Sequence, residues 1–232
     1  MLEPQGRVIM VSGASRGIGR AVTDHLLARG YSVSAGMRDP DAFDRDGPRL
    51  MTARYDATDR ASHADWLAAT LERFGRLDGL VNNAGIASRF GIDAGDEADL
   101  DALIGVNVKG PLFLTRACLP HLRASGAGRI VNVASLSGKR VRNDNIGYAM
   151  TKYALVALTH GTRRIGWQDG VRATALCPGF VATDLTAGVQ TIERDAMIAP
   201  EDLAVLAGTV IALPNTASVA EMLVNCRHED ML

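Results

Sequence analysis

Tyr148 and Lys152 stand four residues apart in "YAMTK". On a helix that spacing puts a phenol and an ammonium on one face, about one turn apart. A phenol of ordinary pKa, about 10, is a poor base at neutral pH. A neighbouring ammonium favours the phenolate, so the pair could give and take a proton. Ser135 lies thirteen residues before Tyr148, at the end of the apolar run "GRIVNVAS". A hydroxyl at a strand end can donate to an oxyanion forming on a bound molecule. Taken alone, each feature has a plainer reading: a surface pair on a helix, or a turn serine.

A second group of residues points to an anion. "SGASRGIG", residues 12–19, follows the apolar run "RVIMVS" and places Gly13, Gly17 and Gly19 between a strand and a helix. Such a turn brings backbone close to a bound group, and the helix behind it offers free N–H groups and a positive dipole end. The pattern G-x-x-x-G-x-G differs from both the G-x-G-x-x-G form and the P-loop. A pyrophosphate suits it, and a tight strand–helix turn with no ligand is the alternative.

The elements that must position these residues alternate regularly. Short β-branched runs read as strands at residues 7–12, 31–37, 50–56, 78–83, 128–135, 171–179 and 219–225. Amphipathic stretches between them read as helices at residues 17–29, 59–74, 97–123, 145–167 and 200–213. This alternation predicts an α/β fold: a doubly wound, Rossmann-type parallel sheet of about seven strands with helices on both faces, a three-layer αβα sandwich. Runs such as "IVNVA" suit strands buried on both sides. The whole chain, 1–232, reads as a single domain, with the segment 39–48 as a loop and about 180–199 as a substrate loop.

Bulk properties narrow the function classes. The chain has 232 residues, 47 % of them hydrophobic, enough for a sizeable core. A formal net charge of −1 with mixed signs provides no broad basic field for nucleic acid. Three scattered cysteines, Cys118, Cys177 and Cys226, suit a reducing compartment better than a disulfide framework or a metal site. The N-terminus has no apolar signal region, and no run of about 18 apolar residues is evident. The expectation is a cytoplasmic protein with no membrane segment and no metal.

"SGASRGIG" resembles the glycine segment of the short-chain dehydrogenase/reductase family, with Ser12 where threonine is usual. Further segments resemble that family in its order: "YDATD" at 55–59, "NNAG" at 82–85, Asn107 in "GVNVKGP", Ser135 in "IVNVASLSG", Tyr148 with Lys152, and "CPGFVATD" at 177–184. The resemblance covers about residues 7–213. It implies a hydride exchanged between a nicotinamide nucleotide and a ketone/secondary-alcohol pair, with Tyr148 as acid/base and Ser135 beside the substrate oxygen. It also implies that Lys152 holds the nicotinamide ribose and that Asn107 supports a water linking the lysine to solvent. By the same resemblance Gly13, Ser15, Arg16, Gly17, Ile18 and Gly19 cradle the nucleotide, and Asp56 with Ala57 meets the adenine. Asn83, Ala84 and Gly85 line its path, and Pro178, Gly179, Val181 and Thr183 flank the nicotinamide amide.

Binders of NAD commonly carry an acid at the end of the second strand. Here that position is Met37, followed by Arg38. Arg16 and Arg38 together would suit a 2′-phosphate, which guanidinium grips in bidentate fashion, so NADP(H) is the favoured cofactor. The alternative is NAD(H), with Asp39 reaching back and Arg16 solvated.

Substrate contacts are expected from the loops 86–95, 136–147 and 180–199. Arg89, Lys139, Arg140 and Arg142 could hold a substrate carboxylate, or be solvated loop charges. The segment 200–223 departs from the common family ending and looks more like the 3-hydroxy-acid dehydrogenases, which leans toward hydroxy acids and their oxo forms. A homodimer or homotetramer is expected, with helices 97–123 and 145–167 pairing across a two-fold axis. Besides an NADP- or NAD-dependent enzyme, a dinucleotide-binding sensor without turnover remains open. The complete Ser135–Tyr148–Lys152 set argues against the sensor.

Overall fold

In β1 (Val8–Ser12) all five residues are buried, as the apolar run requires. Ile9 and Val11 pack on one side of the sheet with Val22, Leu26, Leu203 and Ile211. Met10 packs on the other side with Trp66, Leu80, Leu114 and Cys118. A strand's period of two thus feeds two helical layers at once. The computed structural model describes residues 1–41, 43–44 and 47–229. Residues 42, 45 and 46 of the expected loop, and the last three of the expected 1–232 domain, lie outside the described residues.

The chain runs β1, α1 (Gly17–Arg29), β2 (Ser32–Met37), β3 (Leu50–Arg54), α2 (Arg60–Phe74), β4 (Gly79–Asn82), α3 (Glu97–Ile104), α4 (Gly110–Ala124), β5 (Arg129–Val133), α5 (Ile146–Gly166), β6 (Arg172–Pro178), α6 (Pro200–Ala212) and β7 (Glu221–Val224). The seven strands form one sheet in the order β3-β2-β1-β4-β5-β6-β7, and every pairing is parallel. The order reverses between β1 and β4, which opens a crevice at their carboxyl ends. The expected doubly wound Rossmann-type fold is therefore what the chain adopts.

Local signals account for most boundaries. Asp59 caps α2 by accepting from the Ala61 and Ser62 amides. Asn145 caps α5 by accepting from Tyr148 N. The helix expected over 97–123 is not uniform: residues Gly105–Lys109 form a π-helical turn between α3 and α4. Gly110 N there donates to Gly105 O, five residues back. The run Glu97–Ala124 has a mean hydropathy of 1.2 and is, by length and composition, long and apolar enough to cross a bilayer. That corrects the expectation that no such run exists. Part of its apolar content packs into the core, where Leu103, Leu114, Cys118 and Leu122 are fully buried.

A buried polar chain fixes two helices on the sheet beneath the crevice. Asn82 and Asn132 face each other in the β4–β5 register. Asn82 Nδ2 donates to Asn132 Oδ1 at 2.8 Å and to Thr115 Oγ1 of α4 at 3.0 Å. Asn132 Nδ2 donates to Thr159 Oγ1 of α5 at 2.8 Å. These bonds tie α4 and α5 to the sheet, although Asn82 Oδ1 is buried with no partner among the described residues.

Candidate active site

The glycine turn after β1 is shaped as an anion cradle. Gly17 opens α1 with φ +54°, and a methyl at Gly19 would overlap the Gly13 carbonyl oxygen. A side chain at either position would strain or fill the turn. No side chain caps α1, and its first turn holds no acidic residue. The helix end is thus left with its N–H groups and positive dipole available. Ser15 and Arg16 are exposed on this turn, and Ile18 is half-buried behind it. A methyl at Gly85, across the crevice, would stand 3.3 Å from Asn107 Oδ1 and 3.8 Å from Lys152 Nζ. The donor set and the bare glycine backbone fit a dinucleotide lying from the turn toward Lys152.

Ser12 and Asn83 hold the turn in place. Ser12 Oγ accepts from the amides of Asn83 at 3.0 Å and Ala84 at 3.1 Å, and donates to Val81 O at 3.2 Å. Asn83 Nδ2 donates to the carbonyls of Ser12 at 3.0 Å and Gly13 at 3.1 Å. The Asn83 side chain therefore clamps β1 to β4 beside the glycine turn. Ser12 is thus a positioning residue for the turn.

Asp56 Oδ1 accepts from Thr58 N at 2.8 Å and Thr58 Oγ1 at 2.7 Å. The Thr58 amide bond, followed by its hydroxyl bond, holds this carboxyl below its ordinary pKa. The Ala57 methyl packs under α4, where a methyl on Gly110 would come within 2.8 Å of it. Ala57 is buried, so its side chain supports the helix instead of facing the crevice. Arg38 and Arg89 are exposed. Arg16 does not turn toward Arg38: its Nη1 makes an ion pair with Asp184 Oδ2 at 2.7 Å.

Ser135, Tyr148, Lys152 and Asn107 gather at the carboxyl edge of β5. Ser135 Oγ accepts from Ser137 N at 3.0 Å and lies 3.5 Å from Pro178 O. Burial pushes the Tyr148 phenol up to about 12, and a hydrogen bond from Ser135 works the other way. Burial pushes the Lys152 ammonium down to about 8. Lys152 Nζ donates to Val133 O at 3.0 Å and stands 5.5 Å from the Tyr148 ring centroid. Lys152 thus stands on the same helical face as Tyr148, with its amine bonded to β5. The amine is directed to the strand, and Ser135 is the group that favours the phenolate.

Asn107 sits in the π turn and is buried. Its Oδ1 accepts from Ile86 N at 2.9 Å, and its Nδ2 donates to Ile86 O at 2.9 Å and Thr151 Oγ1 at 3.1 Å. Thr151 Oγ1 donates to Tyr148 O at 2.8 Å. The asparagine side chain thus ties the π turn to the loop after β4 and to α5. Thr151 was not among the expected site residues, although its place one turn after Tyr148 is a readable signal.

The end of β6 closes the crevice. Gly179 N donates to Val224 O at 2.8 Å, so β7 braces the Pro178–Gly179 corner. Val181 pairs with Ile198 in an isolated bridge, which draws the two ends of the substrate loop together. Thr183 leans on the glycine turn, its Cγ2 only 3.1 Å from where a Gly17 methyl would lie. Lys139 pairs with Glu221 at 2.6 Å, while Arg140 and Arg142 pair with Glu229. The solvated-loop alternative for these cations is therefore replaced by ion pairs within the chain.

Comparison with known proteins agrees with this geometry. Residues 7–194 match the family model described as short chain dehydrogenase. Two agropine synthesis reductases of Rhizobium rhizogenes are 43 % and 44 % identical over 98 % and 97 % of the chain. The chain spans about half of those relatives, 54 % of each. An uncharacterized oxidoreductase of Staphylococcus saprophyticus is 32 % identical over 97 % of the chain and 99 % of its own length. Among solved structures, a 3-ketoacyl-(acyl-carrier-protein) reductase of Brucella melitensis complexed with NADH superposes with a TM-score of 0.88. It is 26 % identical, covering 95 % of this chain and 96 % of that one. An alcohol dehydrogenase of Thermococcus sibiricus complexed with 5-hydroxy-NADP gives a TM-score of 0.86 at 26 % identity, covering 94 % and 95 %. With its glycine turn, its seven parallel strands and the Ser135, Tyr148 and Lys152 side chains at one sheet edge, the chain belongs to the short-chain dehydrogenase family of oxidoreductases.

Proposed function

We propose that this protein transfers a hydride between NADP(H) and a small carbonyl/secondary-alcohol pair of the oxo-acid/hydroxy-acid class, acting mainly as a reductase. The observation that carries the reading is the convergence of Ser135, Tyr148 and Lys152 opposite a bare glycine cradle. The nicotinamide, when bound, carries the hydride. Ser135 donates to the substrate oxygen as negative charge develops there. Tyr148, with its phenol still protonated far above neutral pH, delivers the proton to that oxygen. Lys152, buried and losing its proton near pH 8, stands ready to restore the phenol's proton and to hold the nucleotide's ribose. Asn107, through Ile86 and Thr151, keeps the loop after β4 and the turn carrying Tyr148 at a fixed separation. The Rhizobium rhizogenes relatives, named as reductases, support the direction.

A second reading, NAD(H), rests on the ion pair that already neutralises Arg16 and on the exposed Asp39 after β2. We place the protein in the cytoplasm, where its three free cysteines remain thiols. We also propose a homodimer across α4 and α5. The support is an apolar groove lined by Val108, Leu112, Ala154, Leu155 and Leu158, of which Leu112 is exposed, with exposed Met150 and Tyr153 also on α5.

The test is Tyr148→Phe, assayed at about 340 nm, the absorbance of reduced nicotinamide, with a panel of 3-oxo acids, simple ketones and both nucleotides. Turnover is expected to fall by about 10²–10⁴-fold, with nucleotide affinity by calorimetry unchanged. Turnover equal to the parent would defeat the mechanism.

A further inference from the structure

The loop between Ser135 and Tyr148 carries two guanidiniums that converge on one carboxylate oxygen. Arg140 Nε and Nη2 lie 2.8 Å and 2.5 Å from Glu229 Oε2, and Arg142 Nη1 lies 3.4 Å from the same atom. The Arg140 and Glu229 side chains are only 10 % and 5 % exposed. An ion pair removed from water this far requires real complementarity, unlike a surface pair. The loop is also packed tightly on α5, since a methyl on Gly138 would meet the Lys152 backbone carbonyl at 2.7 Å.

Glu229 arrives on a segment that runs along the rim of the crevice after β7. Cys226 Sγ lies 3.8 Å from where a Gly179 methyl would stand. The Arg227 guanidinium lies 5.5 Å from the centre of the Phe180 ring, and its Nη1 is 3.5 Å from Thr191 O. Residues 224–229 therefore join the loop after β5 to the loop after β6, with Glu229 bonded to the former. Lys139 takes no part, being turned to Glu221, which also accepts His160 at 2.6 Å.

We propose that Arg140 and Arg142 form a carboxylate-binding site for the substrate, which Glu229 occupies in cis. A carboxylate brought by an oxo acid takes the place of Glu229 on the guanidiniums, and the segment 225–229 lifts from the rim as it does so. Arginine grips any carboxylate through the same fork, so the side chain of Glu229 is a ready stand-in. The inference rests on the proposed oxidoreductase reading for its substrate class, and its structural half stands on the ion pair alone.

The experiment has two arms. In the first, succinate is titrated onto the unmodified protein while backbone hydrogen exchange is followed. Faster exchange at residues 225–229 is expected, and unchanged exchange at saturating succinate overturns the site. In the second, acetoacetate and its methyl ester are compared as substrates of Glu229→Gln and the parent. The KM for acetoacetate is expected to fall by about fivefold in the variant, the equivalent of about one kcal/mol. The KM for the neutral ester is expected to stay within about twofold. Equal shifts for acid and ester overturn the proposal. Arg142→Gln, at a half-exposed position that folding tolerates, should raise the KM for the acid alone. If neither compound turns over with either nucleotide, the functional reading fails, while the exchange arm still decides whether the site exists.

Discussion

Arg16 Nη1 and Asp184 Oδ2 meet at 2.7 Å across 168 residues of sequence, joining the glycine turn after β1 to the loop after β6. β4 and β5 lie between those two strands in the sheet, so the pair spans the crevice where a dinucleotide would rest. Both side chains are well exposed, 71 % and 64 %. A bridge so open to water is worth no more than about 1 kcal/mol. A 2′-phosphate, with its double charge and three oxygens, could displace the carboxylate and take the guanidinium.

That competition makes Asp184 a lever on cofactor choice. Asp184→Asn is expected to tighten NADPH by about threefold to fivefold and to leave NADH within about twofold, measured by calorimetry. A variant that shifts both nucleotides alike would show that Arg16 does not read the phosphate.

Asn107 links two elements that carry the site. Its three hydrogen bonds reach Ile86 twice and Thr151 once. Asn107→Ala leaves the half-buried Ile86 amide and carbonyl without their side-chain partner and is expected to cost about 1–3 kcal/mol of unfolding free energy. Thr151→Val removes one of these bonds and is expected to cost about 1 kcal/mol. Urea unfolding of the two variants tests the order. Parent-like midpoints for both would mean that the π turn is held by something else.

Acid stability should depend on His25. Its ring packs on α6, where a methyl on Gly208 would lie 2.5 Å from Nε2, and that nitrogen is buried with no hydrogen-bond partner among the described residues. Burial, and then Arg29, lower its pKa below the ordinary 6.5. The folded protein thus holds the neutral imidazole, while the unfolded chain binds a proton first as pH falls. This contribution is complete above about pH 6.5 and declines below it, by up to about 1.4 kcal/mol per pH unit for one proton. It stops declining once the folded-state pKa is passed. His63, lowered chiefly by burial, acts in the same direction. His25→Gln should flatten the loss of stability between about pH 6.5 and 5, read from urea midpoints across that range. A variant with the parent's slope would remove His25 from the account.

Local physics along the chain accounts for much of the fold and part of the site. Apolar runs marked the strands, most clearly the central ones that are covered on both faces, while β3 and β7 at the edges are only partly buried. Asp59 and Asn145 stand where the capping of α2 and α5 needs them. The four-residue spacing of Tyr148 and Lys152 fixed a shared helical face. Three glycines behind β1 marked the cradle. The partner of each site side chain depends instead on long-range packing. Lys152 turns to Val133 of β5, nineteen residues back, rather than to the phenol. Arg16 finds Asp184, Asn83 finds the carbonyls of the turn, and Arg140 finds Glu229 eighty-nine residues away. The physical reason is that a charged or amide side chain bonds whichever complementary group packing brings within about 3 Å. That proximity comes from strand order and loop closure, and neither leaves a periodic trace in the chain.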